Sequence, residues 1–140
     1  MGPVGVMYLL DTNPCIVYLT GRSEVLRRRL DAVGNDQVAV CSIVCAELFF
    51  GAAKSVNPNT TLQRQQQFLE RFQSLPFDDA AARIYGPLRA DLERGGATIG
   101  ANDLLIASIS LANGLTLVSH NVGEFSRVPG LMVEDWEIGI

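Results

Sequence analysis

Apolar positions fall into short runs separated by turn formers, and the spacing within each run predicts its element. Residues 4–10 are almost continuously apolar, broken by Gly5, which predicts a strand buried on both faces that stops at Asp11-Thr12-Asn13. Ser23 stands where it can cap a helix carrying Val25, Leu26, Leu30 and Val33 on one face and ending at Gly34. Residues 37–41 are short and β-branched and predict a second strand, after which Ser42 opens a helix through Lys54. A loop of turn formers, Ser55-Val56-Asn57-Pro58-Asn59, follows. Thr60 and Gln63 have the spacing of a capping box for a helix with Leu62, Phe68, Leu69, Phe72 and Leu75 inward. Leu75-Pro76-Phe77 reads as an edge strand, where proline is tolerated.

Asp78 caps the next helix, in which Ala81, Ile84, Tyr85, Leu88 and Leu92 keep helical spacing through Gly86-Pro87. A kink is expected there rather than an end, with Gly95-Gly96 as the stop. Residues 103–112, opened by Asn102 and closed by Asn113-Gly114, are apolar nearly all round and predict a deeply buried helix. Residues 115–118 predict a buried strand, and residues 131–133 a final short one. Strands that alternate with helices call for a parallel sheet covered on both faces. Ligands of such sheets sit beyond the carboxyl ends of the strands, so the residues just after each strand draw attention.

A length of 140 residues suits one domain, 1–140, and 48% apolar with 19% charged residues supports a core rather than disorder. Met7 serves as well as Met1 for a start, so residues 1–6 read as an extension. They lack a basic segment, and no signal peptide is expected. No apolar run approaches the ~20 residues of a membrane span. Cys15, Cys41 and Cys45, an odd number inside apolar stretches, point to a reducing, cytoplasmic compartment. With the single His120 they do not form a zinc finger or ribbon. Without a secretory signal the acceptor pattern Asn59-Thr60-Thr61 is discounted. A net charge of −4 argues against a protein that coats nucleic acid with its whole surface. The basic residues are nonetheless ten Arg and one Lys, Lys54, and Arg matches phosphate geometry.

Three acids stand where acids are costly. Asp11 follows the first predicted strand, Glu47 lies within Ile43-Val44-Cys45-Ala46-Glu47-Leu48-Phe49-Phe50, and Asp103 begins Leu104-Leu105-Ile106-Ala107. Asn121 and Glu124 follow the strand at 115–118. Each has a plain structural role open to it: an Asx turn for Asp11, a helix first turn for Asp103, a solvent-facing side for Glu47, a surface turn for Glu124. Their placement at strand and helix ends of one parallel sheet favours a hard cation gathered by the three acids, since Mg²⁺ takes oxygen ligands and needs only one or two direct carboxylates.

These residues resemble a known family. Leu9-Leu10-Asp11-Thr12-Asn13, Cys45-Ala46-Glu47-Leu48-Phe49-Phe50-Gly51-Ala52 and Arg89-Ala90-Asp91-Leu92-Glu93-Arg94-Gly95-Gly96 are similar to PIN-domain motifs. So are Ile99-Gly100-Ala101-Asn102-Asp103-Leu104-Leu105-Ile106-Ala107 and the stretch from Ser119-His120-Asn121 to Pro129-Gly130-Leu131. In this order they resemble VapC-type toxins, the ribonuclease halves of bacterial toxin–antitoxin pairs. The resemblance implies a three-layer α/β/α sandwich around a short, mostly parallel sheet, and Mg²⁺- or Mn²⁺-dependent RNA cleavage. Asp11, Glu47 and Asp103 match the catalytic acids, with Asp11 and Asp103 on the metal and Glu47 and Asn121 acting directly or through water. Asn121 stands at a position often held by Asp, and Thr12 at a small hydroxyl residue that supports the site. Gly123 replaces an Arg common in relatives. A homodimer and a cognate antitoxin laid across the acidic groove are also implied.

RNA at an acidic pocket needs positive charge around it, for which Arg22, Arg27, Arg28, Lys54 and Arg89 are candidates. Two rival readings remain. A haloacid-dehalogenase-type phosphatase also has an Asp after its first strand, but its second acid falls here on Asn13. A non-catalytic PIN-like module that binds RNA or a partner would be marked by lost acids, and only position 121 departs.

Overall fold

The structure, a computed structural model, describes residues 2–138. Five strands form one sheet: β1 (Tyr8–Leu10), β2 (Val38–Cys41), β3 (Gln73–Leu75), β4 (Thr116–Val118) and β5 (Val133–Glu134). Their order is β3-β2-β1-β4-β5, and all four pairings are parallel. β1 pairs Leu9 with Ala39 on one side and with Leu117 on the other. Seven helices lie between the strands: α1 (Thr12–Thr20), α2 (Glu24–Ala32), α3 (Ser42–Ala53), α4 (Pro58–Leu69), α5 (Asp79–Arg94), α6 (Ala101–Ala112) and α7 (Val122–Phe125). This is the expected α/β sandwich. Leu9, Leu10, Val38, Val40, Leu117 and Val118 are shut from solvent in the sheet, and Leu48, Ile106, Ile109 and Phe125 pack on it from the helices.

Local chemistry accounts for the helix ends. Ser23 Oγ accepts from the Leu26 N–H at 3.2 Å to open α2, and Leu26 and Leu30 are its buried face. Asp78 Oδ1 accepts from the Ala81 N–H at 3.0 Å to open α5, which runs unbroken through Pro87 to its cap at Gly95. Asp78→Ala should therefore cost about 1 kcal/mol, seen as a drop of roughly 2–4 °C in Tm. α6 buries Leu104 and every residue from 106 to 110, and its Ser108 and Ser110 hydroxyls donate to the carbonyls of Leu104 and Leu115.

Several expectations are corrected. Residues 12–20, to which the pattern assigned no element, form a helix that starts at once after Asp11 and is closed by Gly21 at φ 68°. α4 starts at Pro58, not at a Thr60–Gln63 box, because proline's fixed φ suits the first helical position and Asn57 is the residue before it. β3 ends before Pro76, so the proline terminates the edge strand instead of lying in it. β5 sits at Val133–Glu134, starting two residues later than the pattern suggested and ending one later. β1 is confined to its last three residues, because residues 4 and 5 turn, with Gly5 at φ 85°. Met7 still joins the sheet, donating to Gln37 O at 2.8 Å and accepting from the Thr116 N–H at 2.9 Å. In α3 only Val44, Leu48 and Ala52 are buried, one residue per turn, which leaves Phe50 65% exposed.

The cysteines are free, Cys15 and Cys41 buried. Among the described residues no helix is long and apolar enough to cross a membrane.

Candidate metal-dependent active site

Strand order reverses at β1: the chain moves from β1 outward to β3, then crosses back to β4 on the other side. Ligands of open α/β sheets sit at such a switch point, beyond the carboxyl ends. Asp11 lies there, directly after β1, as the residue that caps α1. It is 6% exposed. Its Oδ1 accepts from the Thr12 N–H at 2.9 Å and its Oδ2 from Ser119 Oγ, across the switch point, at 2.9 Å. Burial pushes its carboxyl above the usual range even so, and the nearby Glu47 and Glu124 push the same way.

Glu47, on α3, is half-buried and held at both oxygens. The Thr12 hydroxyl donates to Oε1 and the Asn102 amide to Oε2, the latter at 3.2 Å. Asp103 sits in the first turn of α6. Its carboxyl is pushed up to about 8, first by burial, then by contact with the Glu124 carboxylate, then by Asp11. Glu124 is held below the usual range, chiefly by that contact with Asp103. Its Oε1 accepts from the Gly100 N–H at 2.7 Å and its Oε2 from the Asn121 amide. Burial and the contact with Glu124 thus favour the neutral form of Asp103, while the same contact favours the charged form of Glu124.

The three predicted acids are therefore neighbours, joined by a fourth that sequence reasoning assigned to the surface. Glu124 lies beside Asn121, whose amide donates to its Oε2. The signal was available: Asn121 precedes a helix with Glu three residues on, a helix-start spacing. Ser119 and Asn102 were also missed. Ser119 Oγ both donates to Asp11 and accepts from the Asn121 N–H at 3.0 Å.

Among the described residues, no Lys or Arg forms a salt bridge with Asp11, Glu47 or Asp103. Crowded carboxylates with no ammonium or guanidinium partner suit an oxygen-seeking cation. No three of them bring oxygens within 4.8 Å of one another, so they do not form a closed cage. This departs from the expectation of one cation gathered by all three acids; a hard ion needs only one or two direct carboxylates, with water in its other positions.

Of the basic candidates, Lys54 lines the same groove as Thr12, Ile16, Glu47, Phe50 and Asn102, with its Nζ 4.7 Å above the Phe50 ring. Arg22, beyond the far end of α1, donates to Thr20 Oγ1, and Arg27 lies over the Tyr18 ring at 5.0 Å. α1 spans about 13 Å, which separates this end from Asp11. Arg28 pairs with Glu24 at 3.3 Å. Arg89 pairs with Glu93 at 2.9 Å in a separate hollow with Tyr85 and Ile99. Arg127, not foreseen, lowers the Glu124 carboxyl and donates to Thr98 O at 2.8 Å.

Acids gathered at the switch point of a parallel sheet define a class, the α/β proteins with a cation-seeking acidic centre. Comparison places the chain within it. The family model described as the PIN domain matches residues 8–131. "Ribonuclease VapC2" of Rickettsia felis is 38% identical over 133 residues, 94% of this chain and 99% of that protein. The "tRNA(fMet)-specific endonuclease VapC" of Salmonella typhimurium is 36% identical over 92% of this chain and 97% of its own length. The crystal structure of VapBC2 from Rickettsia felis bound to a DNA fragment from their promoter contains a chain that superposes with a TM-score of 0.88. The match there is 37% identical and covers 94% of this chain and 99% of that one. This chain belongs to the PIN-domain family, among its VapC ribonucleases. The dehalogenase reading is thereby set aside.

Proposed function

We propose that this chain is a divalent-metal-dependent endoribonuclease, the toxin of a toxin–antitoxin pair, with Asp11, Glu47 and Asp103 as its catalytic acids. One observation carries the reading: Asp11, Glu47, Asp103 and Glu124, from four separate segments, meet at the carboxyl end of the sheet, where Glu47 is hydrogen-bonded to Thr12 beside Asp11 and to Asn102 beside Asp103, and Glu124 to Gly100. A non-catalytic module has no need of that arrangement.

Mg²⁺, or Mn²⁺ in its place, suits the all-oxygen donor set. Asp11 and Asp103 would hold it, Glu47 and Asn121 assisting through water. When bound it would polarise a phosphoryl oxygen and lower the pKa of the attacking water. The remaining work falls to the chain itself. Thr12 and Asn102 fix Glu47 from both sides, which sets it to orient that water and take its proton as the phosphodiester P–O bond breaks. Ser119 and the Thr12 N–H fix Asp11. Asn121 and Gly100 fix Glu124, which in turn steadies Asp103.

Lys54, beside Glu47, meets a backbone phosphate of the RNA, and Arg127 a second. Arg22, Arg27, Arg28 and Arg89 contribute at longer range. Binding should weaken as salt rises. The name of the Salmonella relative makes a tRNA the first substrate to try. The antitoxin covers the groove, where Ile16 and Phe50 leave apolar surface beside Glu47. Two copies of residues 1–140 pair as a homodimer in the cytoplasm, which a mass measurement in solution tests.

Purified protein with RNA and Mg²⁺ should release fragments. Excess chelator should reduce cleavage to background and added Mg²⁺ or Mn²⁺ should restore it. Binding without cleavage under every metal condition would favour the non-catalytic module.

A further inference from the structure

A second constellation lies outside the acidic centre. His120 follows β4 through Ser119, and Asp135 and Glu137 follow β5, the neighbouring strand. One imidazole nitrogen and two carboxylate oxygens lie within 4.8 Å of one another, the one such triplet among the described residues. His120 Nδ1 is 2.9 Å from Asp135 Oδ2 and 3.3 Å from Glu137 Oε2.

The burial of these groups makes the arrangement costly as it stands. The Asp135 side chain is only 7% exposed. Glu137 Oε2 is closed to solvent and lacks a hydrogen-bond partner. One Nδ1–H serves one acceptor well, and here it points to Asp135. The second carboxylate oxygen, 3.3 Å from the same nitrogen, is left aimed into the cluster without a hydrogen bond of its own. Arg29, which reaches this strand end, is engaged with Glu134 at 3.4 Å and with the Trp136 ring at 5.3 Å.

We propose that His120, Asp135 and Glu137 bind a first-row divalent cation of the zinc class, at a site distinct from the acidic centre. A donor set of one imidazole and two carboxylates suits Zn²⁺ or Co²⁺, whereas Mg²⁺ prefers oxygen alone. The His120 side chain is 60% exposed, which gives the ion a path in and leaves a coordination position for water. The bound ion ties the carboxyl ends of β4 and β5. Ser119, which holds Asp11, sits between His120 and β4, so the clip steadies the segment that orients the acidic centre.

The test titrates Zn²⁺ by calorimetry, and Co²⁺ by its visible absorption, into the full chain and into Asp11→Asn, His120→Gln and Glu137→Gln. Circular dichroism checks that each variant is folded. The expected result is saturable binding to the parent, unchanged at this site in Asp11→Asn, and weaker by at least tenfold in His120→Gln and Glu137→Gln. Mg²⁺ binding should be indifferent to His120→Gln, which separates this site from the nuclease centre. Absence of saturable Zn²⁺ binding to the parent, undiminished binding in folded His120→Gln, or complete loss in Asp11→Asn would overturn the assignment.

Discussion

Asp11→Asn should lower RNA cleavage by at least ~10³-fold, about 4 kcal/mol of transition-state stabilisation, with no loss of thermal stability. The two halves of this expectation have different causes. Activity falls because a neutral amide is a poor cation ligand and because Asp11 stands at the switch point, where the other acids converge. Stability holds because an amide oxygen can still accept from the Thr12 N–H and cap α1. The charge it removes is one that burial, Glu47 and Glu124 all oppose. Without added metal, the Tm of the variant should equal or exceed that of the parent. The two measurements needed are initial cleavage rates in Mg²⁺ and a melting curve in chelator. Cleavage retained in pure Asp11→Asn protein would contradict the assignment.

Trp136→Ala should be among the most damaging single changes to the fold, costing about 3–5 kcal/mol. Trp136 is 1% exposed although it lies close to the end of the chain. Its ring meets Tyr8 edge-on at 5.0 Å, its Nε1 donates to Glu134 at 2.9 Å, and Arg29 covers its face. It thereby joins the segment after β5 to the central strand. Domains of this kind hold only about 5–15 kcal/mol in total, so the loss would take a large share. Urea denaturation reads it as a lower midpoint. A shift equivalent to less than about 1 kcal/mol would mean that the cavity collapses or that the segment contributes little.

The parts of the fold legible in the sequence are those whose cause is local. Ser23 and Asp78 cap their helices through bonds to residues three positions on, and a spacing rule finds them. The buried face of α2 follows from periodicity, and the burial of α6 from its being apolar nearly all round. α1 escaped because Thr12-Asn13-Pro14-Cys15-Ile16-Val17-Tyr18-Leu19-Thr20 is apolar nearly all round and contains a proline. Pro14 falls in the first turn, where an N–H has no partner within the helix, so it does no harm there.

The site divides the same way. Asp11, Glu47 and Asp103 stood out as charges set in apolar runs. Glu124 did not, because Gly123, Ser126 and Arg127 around it read as surface. Its importance comes from Gly100 and Asp103, more than twenty residues earlier, which no local pattern reports. Ser119 and Asn102 act through contacts across the sheet and were invisible for the same reason.

The bond from Ser119 to Asp11 spans 108 positions of sequence. β1 cannot be completed as a central strand until β4 has been made and docked. A chain still emerging from the ribosome would already display Asp11 and Glu47 but would lack Asp103, Ser119 and Glu124. Such a chain holds only half of the acidic centre, which is completed once residues 103–124 have been made and docked.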